Sequence, residues 1–124
     1  MNLLLDTHVL LWWLGGVEIA QPAGEAIADP HRVVFISAAS IWEISIKRAA
    51  GKLRTSADIA GAALESGFEP LPVTFTHADA AGRLPLHHLD PFDRMLIAQG
   101  QIEGLTVVTR DEVFARYDGS VMSA

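Results

Sequence analysis

Short, mostly apolar runs at Asn2–Leu5, Val33–Ile36 and Leu105–Val108 constrain this chain more than any other feature. Each is too brief for a helix and too continuous for a half-exposed strand. Each is therefore predicted to be a strand covered on both faces. Helical patterns lie between them. Val9–Leu14 stops at Gly15-Gly16, Glu18–Ala28 ends at Asp29-Pro30, and Ala38–Ala50 is closed by Gly51. Ala57–Ser66 and Phe75–Gly82 read as two more helices, and another opens at Asp90-Pro91 and stops at Gly104. Phe68–Val73 contains Pro70 and Pro72, which predicts a short or edge strand. Glu112–Arg116 reads as a short helix, and Val121-Met122 as a last strand. Strand and helix alternate throughout, without repeats or linkers. That predicts a single α/β domain over residues 1–124, with an open, mainly parallel sheet flanked by helices. Right-handed crossovers then gather the carboxyl ends of the strands on one edge.

That edge is where the acids fall. Asp6 ends the first strand and Asp111 follows the Leu105–Val108 strand, each just before a helix start. Asp93 stands on the first turn of the helix that Asp90 is placed to cap, with Pro91 at the position where a missing N–H costs nothing. Glu43 lies about one turn inside the helix that follows the second strand. On that helix, Ile41, Trp42, Ile46 and Ala49 make a broad apolar arc with Glu43 at its border, so its carboxylate needs a partner. Each acid also has a plainer role: Asp6 and Asp111 as helix caps, Asp90 and Asp93 as caps of a buried helix, Glu43 as an i,i+4 partner of Lys47. Converging on one crevice, four carboxylates would repel one another, and some would be forced to protonate. A divalent cation removes that cost, and oxygen-only ligands favour Mg²⁺ or Mn²⁺ over Zn²⁺. Such a site suits hydrolysis of a phosphodiester.

Composition narrows the alternatives. The 124 residues are 50% hydrophobic and 19% charged, but no apolar run is long enough to cross a bilayer. The N-terminal run lacks a basic region before it, unlike a secretory signal. There is no cysteine, so disulfide frameworks and thiolate metal sites are excluded, and a cytoplasmic setting is expected. A net charge of −6 argues against a broad basic surface for nucleic acid, though not against a metal-neutralised acidic one. Lys47, Arg48, Lys52 and Arg54 form the one dense basic patch, placed either to complement a helix end or to meet phosphates. The adjacent His87 and His88 are a weak metal signal that the acid set does not require.

Leu3-Leu4-Leu5-Asp6-Thr7-His8, Ser37–Ile44, Gly51-Lys52-Leu53, His88–Gln99 and Val108-Thr109-Arg110-Asp111 together resemble the PIN-domain ribonucleases, and among them the VapC-type toxins of bacterial toxin–antitoxin pairs. The resemblance runs in order along nearly the whole chain, and Asp90–Gln99 is its most specific part. It implies a PIN-like, Rossmann-like sheet and Mg²⁺- or Mn²⁺-dependent endoribonuclease activity. It implies Asp6 and Asp93 as principal metal ligands, Glu43 completing the site directly or through water, and Asp111 as the fourth acid. Thr7 and Thr109 are then expected to support the carboxylates by hydrogen bonds. Asp90 matches a recurrent position of the subgroup, with capping its favoured role. Lys47, Lys52, Arg94 and Arg110 are candidate contacts to the RNA backbone. A homodimer and a cognate antitoxin whose C-terminal segment fills the acidic groove complete the expectation.

Two other classes compete. A receiver-type signalling domain also clusters acids, but it needs paired acids after the first strand, where only Asp6 stands here. A PIN-fold interaction module without activity would not need the full acid set.

Overall fold

The computed structural model describes residues 1–55 and 57–124. The chain runs β1 (Leu3–Leu5), α1 (Thr7–Leu14), α2 (Ala23–Ala28), β2 (Val34–Ser37), α3 (Ala38–Ala49), α4 (Ile59–Glu65), β3 (Glu69–Leu71), α5 (Phe75–Arg83), α6 (Pro91–Glu103), β4 (Thr106–Thr109) and β5 (Val121–Ser123). A short 3-10 helix, Glu112–Arg116, separates the last two strands.

The five strands form one sheet in the order β3-β2-β1-β4-β5, and every pairing is parallel. Leu3 aligns with Val34 on one side of β1 and with Thr106 on the other. Alternation along β1 sends Leu3 and Leu5 into one core, with Val9, Leu10, Ile27 and Ile44. Leu4 points into the other, with Leu96, Ile97, Val107 and Phe114. All three leucines are fully buried, and each burial stabilises the fold by roughly 1.5–3 kcal/mol. Gly100 lets α6 lie close on β4, because a Cβ there would stand 2.8 Å from Val107 Cγ2. Gly104 ends α6 in the left-handed region at φ 65°, a conformation glycine adopts at no steric cost.

Proline sets one boundary that periodicity misplaces. The expected helix Glu18–Ala28 is shortened to Ala23–Ala28, with Pro22 at its N-cap. Inside a longer helix Pro22 would break a hydrogen bond to the preceding turn. The prolines of Phe68–Val73 have the predicted effect: β3 is three residues long and sits at the sheet edge. The apolar arc of α3 is corrected. Its buried face is Ala39, Ser40, Glu43 and Ile44, while Trp42 is 64% and Ile46 41% exposed. The core selects the side of α3 that meets α1 and α6, and Trp42 and Ile46 are left outside it.

Candidate active site

The strand order reverses across β1 and β4, which makes the crevice beyond their carboxyl ends the expected ligand site. Asp6 opens that crevice. Its Oδ1 accepts the N–H groups of His8 (2.7 Å) and Val9 (3.3 Å), so it caps α1. Its Oδ2 accepts the Thr109 hydroxyl at 2.6 Å, a bond from the end of β4 to the end of β1. Capping and site roles are therefore compatible, since a carboxylate has about four acceptor positions. Thr109 Oγ1 also accepts the Asp111 N–H at 3.0 Å. Thr7 does not reach a carboxylate: its hydroxyl donates to Ser40 Oγ at 3.0 Å and ties α1 to α3. The expectation that Thr7 supports the acids is corrected accordingly.

Glu43 is buried, and its Oε2 accepts Lys47 Nζ at 2.6 Å. Its other oxygen, Oε1, is buried without a hydrogen-bond partner. The Glu43 hydrogen bond raises the Lys47 pKa above its ordinary value, with the charges of Glu43, Asp90 and Asp93 adding to it. Lys47 is thus held as a cation at the border of the acids.

Asp93 stands at the third position of α6. Asp90 caps that helix, accepting the N–H of Phe92 (2.8 Å) and of Asp93 (3.1 Å) on Oδ1. Burial pushes the Asp93 carboxyl up to about 7. The charges of Asp90, Asp6 and Glu43 push the same way, and His88 opposes them. That mutual repulsion places Asp6, Glu43, Asp90 and Asp93 in one electrostatic group.

His88 is the site residue that sequence reasoning set aside. Its Nε2 lies 2.8 Å from Asp93 Oδ2 and 2.9 Å from Asp111 Oδ2. Asp111 thereby joins the group, while its Oδ1 caps the 3-10 helix through the Val113 N–H at 3.0 Å. The usable atoms of His88, Asp93 and Asp111 all lie within 4.8 Å of one another. The sequence signal was the histidine pair itself, but nothing in it distinguishes His88 from His87, which is exposed and packs on the Tyr117 ring.

One of the expected RNA contacts is corrected. Arg94 is buried, and its guanidinium donates to the carbonyls of Ala81, Leu84, Pro85 and His88 at 2.9–3.1 Å. A side chain so enclosed cannot reach a phosphate. Arg110 is exposed; it donates to the carbonyls of Ala124 (2.9 Å) and Glu18 (3.4 Å) and lies 4.1 Å over the Trp12 ring. Lys52 is exposed, just beyond the end of α3.

The residues fit a divalent cation. A buried carboxylate oxygen without a partner is costly, and Glu43 Oε1 is one. A carboxyl raised to about 7 by burial first and by three neighbouring acids second is one whose ionised form a bound cation would favour.

Buried parallel strands with an acid-lined crevice at the reversal of strand order define an α/β domain whose ligand site is acidic. The chain belongs to the PIN-domain family, whose model matches residues 3–120. Its fold is similar to VapBC2 from Rickettsia felis bound to a promoter DNA fragment, with a TM-score of 0.75 at 13% identity, covering 100% of this chain and 99% of that one. It is similar to DNA-bound VapBC from Salmonella typhimurium, with a TM-score of 0.67 at 20% identity, covering 99% and 98%. It is also similar to VapBC-5, a toxin–antitoxin system of Mycobacterium tuberculosis, with a TM-score of 0.60 at 26% identity, covering 99% and 98%. No curated protein matches the chain significantly in sequence.

Proposed function

We propose that this PIN domain is a Mg²⁺- or Mn²⁺-dependent endoribonuclease and the VapC-type toxin of a toxin–antitoxin pair. The observation that carries the reading is the orphaned Glu43 Oε1, together with an Asp93 carboxyl that burial first, and then the charges of Asp90, Asp6 and Glu43, raise to about 7. Asp6 and Asp93 would hold the ion, with Glu43 completing the site. When bound, such an ion neutralises the acids, polarises a phosphoryl oxygen and lowers the pKa of water.

The protein supplies the rest. Thr109 and the first turn of α1 fix Asp6, so its carboxylate does not reorganise when substrate arrives. Glu43 Oε1 is the acceptor available for the proton of an attacking water, and Lys47 holds its sister oxygen in place. Lys47, whose Nζ meets Glu43, and the exposed Lys52 and Arg110 are the cations proposed to meet RNA phosphates.

The test is cleavage of labelled RNA by antitoxin-free protein with Mg²⁺, with Mn²⁺ and with EDTA. The expected result is cutting that requires the ion. Inertness on a broad RNA panel, with no divalent ion bound by calorimetry, would sink the nuclease reading in favour of an inactive interaction module.

The partners follow from the same reading. Solved relatives of this fold are toxin–antitoxin complexes, which supports an antitoxin partner. Trp42, Val73 and Phe75 are 64%, 40% and 95% exposed, and they support a homodimer, since a lone soluble chain gains nothing by exposing them. Sedimentation velocity is expected to show a two-chain species that Trp42→Glu dissociates, and a monomeric wild type would remove the dimer from the proposal. No helix among the described residues is long and apolar enough to cross a membrane.

A further inference from the structure

His88, in the loop between α5 and α6, is held at its backbone and at its ring. Its N–H donates to the Tyr117 hydroxyl at 2.7 Å, and that hydroxyl donates onward to the Pro85 carbonyl at 2.7 Å. Its carbonyl accepts Arg94 Nη1 at 3.1 Å. Its ring packs edge-on against Phe114, with centroids 5.9 Å apart at 83°. Both backbone groups and the ring are therefore fixed by residues from α6 and from the segment after β4.

The ring nitrogens are also fixed in role. Nδ1 accepts the Asp90 N–H at 3.3 Å, so the ring hydrogen resides on Nε2. Nε2 faces Asp93 Oδ2 at 2.8 Å and Asp111 Oδ2 at 2.9 Å. In that tautomer Nε2 carries a hydrogen directed at two carboxylates, and its lone pair is not offered to an ion.

We propose that His88 is a positioning residue that clamps Asp93 and Asp111 through its Nε2–H and leaves the remaining oxygen of Asp93 to the ion. This inference rests on the metal-dependent reading. It assigns His88 outside the ligand set, although its nitrogen lies among atoms close enough to share one ion. Carboxylate ligands are oriented by such outer hydrogen bonds, and removing one weakens metal binding by about 10- to 100-fold.

The test is Mn²⁺ binding by calorimetry, with pulsed paramagnetic resonance of the bound ion, in wild type, His88→Ala and His88→Gln. The backbone bonds of His88 survive both substitutions, and a thermal melt checks that each variant is folded. Wild type is expected to bind Mn²⁺ without a directly coordinated nitrogen. His88→Ala is expected to bind about 10-fold more weakly. His88→Gln, whose amide N–H can replace the Nε2–H, is expected to recover most of the loss. A direct nitrogen coupling that disappears in His88→Ala makes His88 a ligand and overturns the proposal. Equal affinity in wild type and His88→Ala, or a failure of Gln to rescue, overturns it as well. A wild type that binds no Mn²⁺ overturns the metal reading itself, an outcome distinct from the other three.

Discussion

Asp93→Asn is expected to lower metal-dependent cleavage by about a thousandfold while making the metal-free protein more stable at pH 8. The activity loss follows from removing a proposed principal ligand: about 4 kcal/mol of transition-state stabilisation corresponds to a factor of ~10³ in rate. The stability gain follows from linkage. The folded-state pKa of Asp93 is about 7, raised from 3.8 by burial first and then by Asp90, Asp6 and Glu43. A raised pKa means that the fold prefers the protonated form. The stability it contributes is complete below about pH 4 and is lost as pH rises through 7. At pH 8 an ionised Asp93 therefore opposes folding. The cost is on the order of 2 kcal/mol, allowing for solvent screening of a side chain that is 21% exposed. Asparagine carries no charge, so thermal melts in EDTA should show Asp93→Asn well above wild type at pH 8 and near it at pH 4. Metal reverses the comparison, because an ion needs the ionised form and stabilises wild type alone. Equal melting of the two proteins at pH 8 in EDTA would contradict the crowding of charge described for this site.

Arg94→Ala is expected to destabilise the fold by about 3 kcal/mol or more, measured by urea unfolding, and to lower activity with it. Hydrogen bonds to a charged group contribute roughly 1.5–3 kcal/mol, and four carbonyls converge on this guanidinium. Removing it leaves the turn after α5 without a hub, and His88 loses the donor to its carbonyl. Arg94→Lys is expected to fare nearly as badly. An ammonium has three donors and no planar fork, so it cannot reach all four oxygens. A variant with wild-type stability but weakened RNA binding would return Arg94 to the role of a phosphate contact.

How far sequence alone reached depended on the range of the interaction involved. β1, β2 and β4 were legible because three or four consecutive apolar residues have few ways to be buried. The Asp90 cap was legible because its bonds run only two and three residues along the chain. The acids after β1 and β4 were legible as candidates once the sheet was parallel, since topology alone sends those ends to one edge. Arg94 was misread for the opposite reason. On a helix otherwise apolar, an arginine beside Asp93 reads as an exposed cation, and only the path of residues 81–88 encloses it. Thr7 and Thr109 are both hydroxyls next to a site acid, yet they have different partners. The distinction lies in where α3 brings Ser40, which no local pattern records. His88 was passed over because its value comes from Asp111, 23 residues away.

The bond between Thr109 and Asp6 joins positions 103 residues apart, and β1 pairs with β4 across the same interval. Asp6 has no neighbour across the crevice until the segment that carries β4 and Thr109, 103 residues further on, has been made. Closing so long a loop is slow compared with pairing local elements. In the proposed toxin, a growing chain that still lacks β4 is therefore harmless. The danger begins only when the last strands dock, the interval in which an antitoxin must already be at hand.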